Sequence, residues 1–391
     1  MNGLEFDNSR PAPHPEDAIN EKCVRVKTMV KIIAIAIVLV LSGFGTQVHA
    51  QFAELSSWAG RDTDKGVRLI PERIIPVPPT VSPELQRAIA QPVEPNERFW
   101  SIAPKSVDEW RELQAKTEET ATEGVRRLLE GYPVKVENRT IAGVNVFVIT
   151  PESIPDQNRN RIFLHLHGGA YVFYGGQAGI GEAILMAFYG NTRTVSVDYR
   201  MPPNHPFPAA LDDTVAVYKE ILKTCSPANI AIVGSSSGGG LAAAAVLKLR
   251  DLNVPVCGAV GLGTPWIDLT RTGDTLSTNE KIDDVLVTYG ALIESAAKLY
   301  AGSFDVKHPF LSPIYGDVTG FPPTILTSGT RDLLLSCTVR MHRKLRQAGI
   351  QSELQIFEGM SHAEYLLIPD LPEGKEAFQE IARFFDAHLG K

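Results

Sequence analysis

The chain is poor in cysteine, carries no sustained basic run and opens on an apolar run too short to cross a bilayer. Only four of its 391 residues are Cys, and no CxxC, HExxH or EF-hand spacing occurs, so no metal is expected. Lys and Arg number 38 against 45 Asp and Glu, a formal net charge of -7. Binding nucleic-acid phosphates needs a basic face, so no nucleic-acid partner is expected, and a small or neutral one fits better. The apolar run, Ile32 to Leu41, is well short of the roughly 20 residues a spanning helix needs. It is flanked by Arg25, Lys27 and Lys31 and followed by Val48-His49-Ala50, a small-x-small sequence. These are the marks of an export signal cleaved near Ala50, which predicts a periplasmic or secreted protein with no stable membrane span in the mature chain. A membrane anchor is the alternative. Met29 competes with Met1 as the start, because residues 1–28 are polar and unlike the charged region that opens such signals.

Cleavage would remove Cys23 and leave Cys225, Cys257 and Cys337, an odd number, so at least one thiol is expected to stay free. Cys225 and Cys257 each precede a strand pattern and would share a sheet edge if those strands are neighbours. A disulfide could join them, although buried unpaired thiols are the commoner outcome.

With 44% hydrophobic residues the chain can bury one large core, and a single α/β domain with added pieces fits its length. Residues 51–131 begin Pro-rich, as in Ile75-Pro76-Val77-Pro78-Pro79, and continue into two amphipathic helical patterns, Ser106 to Lys116 and Thr122 to Glu130. This region is assigned as an N-terminal arm and cap helices. From residue 132 the text alternates strands with helices, the signature of a mostly parallel sheet covered on both faces. Eight strands are predicted: Val134 to Glu137, Val144 to Thr150, Arg161 to His167, Thr194 to Asp198, Asn229 to Gly234, Gly258 to Gly263, Thr324 to Ser328 and Ser352 to Phe357. Helices are predicted over Ala209 to Lys223, Gly239 to Asp251, Thr338 to Ala348 and Lys375 to Leu389. A further helical stretch, Asp283 to Ala301, breaks the rhythm and suits a cap insertion over 283–302. There are no internal repeats.

Gly234-Ser235-Ser236-Ser237-Gly238 is a GxSxG sequence lying between the apolar strand Ile230-Ala231-Ile232-Val233 and an Ala-rich helix. The bare pattern is weak evidence; strand, motif and helix in unbroken order are much stronger. A tight strand-to-helix turn lifts the middle serine above the sheet, and the flanking glycines remove Cβ atoms that would clash in so sharp a bend. Ser236 is therefore the candidate nucleophile; a Ser/Gly-rich linker is the bland alternative. Upstream, His165-Leu166-His167-Gly168-Gly169-Ala170-Tyr171 ends the third strand, where Gly168 and Gly169 can turn backbone N–H groups towards an oxyanion that the N–H of Ser237 would help to hold. His165 and His167 most simply brace this loop. An Asp and a His should then follow later strands in the order Ser, acid, His. Asp332 follows the strand at Thr324 to Ser328, and His362 follows the strand at Ser352 to Phe357. Asp332 could instead cap a helix starting near Leu333.

At these residues the sequence resembles the hormone-sensitive-lipase-like family of carboxylesterases. The resemblance covers roughly Asn160 to Pro369 and rests on His167-Gly168-Gly169-Ala170, on Asp198-Tyr199-Arg200 with His205-Pro206-Phe207-Pro208-Ala209-Ala210-Leu211-Asp212-Asp213, and on the elbow. It implies an α/β-hydrolase fold with a cap, hydrolysis of short- to medium-chain esters, a small-molecule ester substrate and no cofactor; a homodimer stays open. Two departures stand out. The family elbow reads G-D-S-A-G, so the acidic side chain before the nucleophile is missing at Ser235, and Ala170 replaces a third glycine. Trp266 and Tyr171 are candidates to line the substrate pocket, with core packing the alternative for both. The alternatives are a lactonase or acetyl-xylan-type deacetylase on the same machinery and, from another class, a non-catalytic binder.

Overall fold

The computed structural model describes residue 72 and residues 74–390, together with the backbone of a two-residue antiparallel pairing of Arg61–Asp62 with Val67–Arg68. The expected export signal, Cys23 and the two candidate starts lie outside the described residues.

From Pro76 onwards the chain forms one compact unit built on an eight-stranded sheet. In chain order its strands are β1 (Val134–Ile141), β2 (Val144–Pro151), β3 (Ile162–Leu166), β4 (Arg193–Val197), β5 (Ile230–Ser235), β6 (Ala259–Gly263), β7 (Thr324–Gly329) and β8 (Ser352–Phe357). Across the sheet the order is β1-β2-β4-β3-β5-β6-β7-β8. The β1–β2 and β2–β4 pairs are antiparallel and all others parallel. Every residue of β5 and β7 is buried, which is why neither reads as an alternating pattern: β5 opens on the apolar run Ile230-Ala231-Ile232-Val233, and β7 mixes Ile and Leu with small Thr and Ser. All eight predicted strands are present.

Parallel neighbours need crossover connections, and here helices supply them on both faces. On one face α5 (Ala209–Ile221), α6 (Ser237–Asp251) and α8 (Leu335–Gln347) close a core containing Tyr218, Val246, Leu247 and Met341. On the other, α4 (Gly181–Gly190) and α9 (Pro372–His388) close one containing Ile184, Phe378 and Phe385. Ahead of the sheet come α1 (Pro83–Ile89), α2 (Glu94–Trp100) and α3 (Val107–Gly131). The two helices expected between Ser106 and Glu130 are one. Its start is as predicted: the Ser106 side chain accepts from the Glu109 N–H at 3.2 Å, and the Glu109 carboxylate accepts from the Lys105 N–H at 2.7 Å.

One further expectation changes, and the cysteines take the commoner of the two outcomes open to them. Of the stretch Asp283 to Ala301 only α7 (Leu292–Ala301) is a long helix. Its first half makes a single turn, in which the Asp283 carboxylate accepts the N–H groups of Val285 and Leu286, both at 2.9 Å, and the Val287 N–H donates to the Asp283 carbonyl at 3.1 Å. It is irregular beyond that turn, where Val287 (φ 59°) and Ala291 (φ 49°) take left-handed conformations that interrupt a right-handed helix. Cys225 and Cys257 are not bridged: both are free and buried, as is Cys337. The Cys225 Sγ instead points to the Asn160 carbonyl at 3.3 Å, and burial pushes the Cys257 thiol up to about 12. No helix among the described residues is long and apolar enough to cross a membrane.

Candidate active site

The parallel strands end level with one another. Ser235 pairs with Gly263, Gly263 with Thr327, and Gly329 with Phe357, so the loops after β5, β6, β7 and β8 leave the sheet along one rim. Ligands of open parallel sheets sit at that carboxyl rim.

Ser236 lies at the turn between β5 and α6 with φ 58° and ψ -124°, a backbone conformation that costs a residue other than glycine about 1–3 kcal/mol. It persists because its neighbours fix it. The Ser236 N–H donates to the Gly263 carbonyl at 2.8 Å, and its carbonyl accepts from the N–H groups of Trp266 at 2.9 Å and Gly240 at 3.1 Å. The expected need for the flanking glycines is met: a Cβ on Gly234 or Gly238 would run into the Leu166 carbonyl oxygen, and one on Gly238 would also lie 2.6 Å from the His167 carbonyl oxygen. The third strand and the elbow touch backbone to backbone at these two positions.

That contact sets the HGG loop beside the serine. A Cβ on Gly168 would lie 3.4 Å from the Ser236 Cβ. Gly169 has φ 100° and Ala170 φ 53°, so the residue standing where a third glycine was expected takes up the strained left-handed conformation itself. Among the described residues no acceptor is bonded to the N–H groups of Gly168, Gly169 or Ser237. His167 braces the loop. Its Nδ1 lies 2.8 Å from the Gly168 carbonyl, its ring stacks on Tyr199 at 4.1 Å, and the Tyr199 hydroxyl donates to the His167 carbonyl at 2.7 Å. Burial pushes the imidazole down to about 4, which keeps it neutral.

Asp332 and His362 meet where the loops after β7 and β8 converge. The His362 Nδ1 is 2.9 Å from the Asp332 Oδ1. The same carboxylate accepts from the Leu334 N–H at 2.8 Å and from the Ser328 hydroxyl at 2.5 Å. The capping alternative is not realised: these bonds hold the turn before α8, whose N-cap residue is Leu334 and which has no side-chain cap hydrogen bond. Both side chains are buried, and the His362 Nε2 has no hydrogen-bond partner among the described residues. Burial alone would lower the imidazole; the Asp332 charge and hydrogen bond, with help from Asp283, outweigh it and hold His362 above its ordinary value.

Asp283 was not foreseen as part of this site. It is fully buried, accepts the Leu333 N–H at 2.7 Å and lies 3.4 Å from the His362 N–H, which ties the segment after β6 to the loops bearing Asp332 and His362. Burial, and then repulsion from Asp332, push its carboxyl up to about 6.

Ser236 and His362 line one cavity of about 680 Å³. Its wall includes Trp100, Trp266, Val285, Leu286, Ile293 and Leu334, the α3 residues Val125 and Leu128, and Leu366, Leu367 and Pro369. Trp266 lies on the wall of this cavity. Tyr171 does not. Its ring is buried in a stack on Tyr300 at 3.9 Å and meets Trp266 only from behind, so it supports the pocket rather than lining it.

The comparisons with known proteins agree with this architecture. Residues 163–366 match the family profile described as the alpha/beta hydrolase fold. A curated acetyl-hydrolase of Streptomyces hygroscopicus is 32% identical over 238 residues, 61% of this chain and 79% of that protein. An esterase of Acinetobacter venetianus is 30% identical over 254 residues, 64% of this chain and 82% of that protein. Among solved structures, esterase E25 is 41% identical with a TM-score of 0.81, covering 83% of this chain and 100% of its own. An esterase from the bacterial hormone-sensitive lipase family is 30% identical with a TM-score of 0.67, covering 79% of this chain and 99% of its own.

Proposed function

Because the chain belongs to the α/β-hydrolase fold family, among its hormone-sensitive-lipase-like esterases, we propose that it hydrolyses short- to medium-chain carboxylic esters through Ser236, His362 and Asp332. The observation that carries this reading is the His362 imidazole, with Nδ1 held by Asp332 and Nε2 buried and unpartnered, in the same cavity as a serine lifted on a strained turn. Asp332 fixes the tautomer with the proton on Nδ1, leaving the Nε2 lone pair free to take the Ser236 proton as its oxygen attacks the ester carbonyl. The oxyanion that forms is held by the N–H groups of Gly168, Gly169 and Ser237, each such donor being worth about 3 kcal/mol of barrier. The start of α6 adds favourable electrostatics there. His362 then gives its proton to the leaving alcohol, and water repeats the sequence to release the acid.

An apolar cavity of this size suits the acyl and alcohol groups of a small ester. The acetyl-hydrolase relative favours one second reading, an acetyl ester as the physiological substrate. Ser236→Ala assayed on a chromogenic short-chain ester should abolish turnover, and turnover at the native rate would sink the assignment. A profile over acyl lengths, lactones and acetylated sugars separates the substrate classes.

The proposal extends to three expectations drawn from the sequence. Of the arm-and-cap region 51–131, the helices α1 to α3 form the cap with 283–302; export follows from the leader ending at Ala50; and the third is the homodimer that the sequence leaves open. Cell fractionation that leaves the full-length chain in the cytoplasm would remove the second, and a monomer mass by light scattering the third.

A further inference from the structure

Glu182 is the only charged residue of α4, and its side chain is buried beneath the elbow. Its Oε1 accepts from the Ser235 hydroxyl at 2.6 Å, and its Oε2 accepts from the Ser235 N–H at 3.1 Å and faces the His165 Nε2 at 3.1 Å. Beyond it, the His165 Nδ1 is 2.9 Å from the Ser196 hydroxyl, and the Ser235 hydroxyl is also 2.7 Å from that of Tyr365. A carboxylate taken out of water is costly unless its oxygens are bonded, and here they are met by three donor groups, two of them on the residue directly before Ser236. An acid missing from the elbow sequence is thus present at the elbow in space, delivered from a helix more than fifty residues upstream.

We propose that Glu182 is a positioning residue for the nucleophile: by clamping both the N–H and the hydroxyl of Ser235, it holds the strained Ser236 backbone in the register that points its hydroxyl at His362. The inference rests on the reading of Ser236 as nucleophile. Three anchors converge on the turn. Gly263 takes the Ser236 N–H, Trp266 and Gly240 hold its carbonyl, and Glu182 holds the peptide before it. The other two come from backbone, which every sequence has; Glu182 is the anchor that depends on one side chain. His165, whose ring spans Glu182 and Ser196, keeps the carboxylate from swinging and has no need of a metal to explain its burial.

The test is a set of variants assayed on a chromogenic ester, with rates normalised to active sites titrated by a phosphonate. Glu182→Ala should lower kcat per titrated site by about 10- to 100-fold, the scale of a sub-ångström misplacement, with KM within about 3-fold of native. Ser235→Asp alone should also be slower, because two buried carboxylates would face each other. Combined with Glu182→Ala it should recover much of the loss, since an acid then occupies the same place from the other side. If Glu182→Ala melts below the assay temperature, Glu182→Gln, which keeps the volume, is read instead and should lose about 10-fold in kcat per titrated site. A residue needed only for folding would lower the titre and leave kcat per site alone, with no recovery in the double variant; either result overturns the proposal. Ser236→Ala runs alongside. If it retains turnover the nucleophile reading fails, whereas its loss together with unaffected Glu182 variants refutes only the role of Glu182.

Discussion

Gly238→Ala isolates the contact on which the elbow depends, because two opposed effects of known size act at one position. Gly238 lies in the first turn of α6, where alanine is favoured over glycine by about 1 kcal/mol of helix propensity. Against that, the added Cβ would overlap the Leu166 carbonyl oxygen and stand 2.6 Å from the His167 carbonyl oxygen and 2.8 Å from its carbon. These are backbone atoms, so no side chain can rotate away. Ordinary contact at about 3.5 Å requires β3 and the elbow to part by about 1.5 Å at the Leu166 carbonyl and about 1 Å at that of His167, and overpacking of this kind costs about 1–3 kcal/mol or more. The steric effect therefore wins in stability by a modest margin. The effect on rate should be larger. The atoms that must move lead straight into Gly168 and Gly169, and displacing a reacting group by about 1 Å costs roughly 100-fold. The assay is steady-state hydrolysis of a short-chain ester, normalised by phosphonate titration, beside a thermal melt. Expected are a melting point lowered by a few degrees and a kcat down by about 100-fold with KM little changed. A kcat within 2-fold of native, with an unchanged melting point, would refute the argument that backbone contact between β3 and the elbow sets the oxyanion geometry.

Asp332→Asn removes the charge opposite the His362 Nδ1 while keeping the shape, and kcat should fall by about 10,000-fold as the imidazole loses its preferred tautomer; a loss below 10-fold would argue that another group orients His362. The neutral form of His362 is the active one, so its raised value puts the acid limb of kcat/KM above pH 6.5. Asp283, pushed up to about 6, is ionised over most of that range and favours the imidazolium. Asp283→Asn should therefore move the acid limb to lower pH, and a limb that stays in place or moves upward contradicts that sign.

The sequence carried most of this architecture because fully buried strands leave a strong mark. β6 and β7 differ from their predicted spans by one residue at one end and β5 by one residue at each end, while β8, a half-exposed edge strand, runs over the residues predicted for it. The elbow was legible for the same reason, being anchored between a buried strand and an Ala-rich helix. What was not legible lay where burial erases periodicity. α4 is apolar on nearly every side and follows a Gly-rich stretch, so no helical face stood out, and Glu182 went unread with it. Asp283 was hidden differently, inside a stretch whose spacing reads as helix but which Val287 and Ala291 break with φ of 59° and 49°. Tyr171 and Trp266 looked alike in sequence. Only tertiary packing separates them: the Tyr171 ring stacks on Tyr300 in the core, while the Trp266 N–H donates to the Ser236 carbonyl and Trp266 lies on the cavity wall.

The most direct test of the central claim is to treat the protein with a phosphonate ester, digest it and locate the adduct by mass spectrometry. The account predicts one adduct per chain, on Ser236, with turnover lost in step with its formation and no labelling in the Ser236→Ala variant. An adduct on another residue, or turnover that survives full labelling of Ser236, would contradict it.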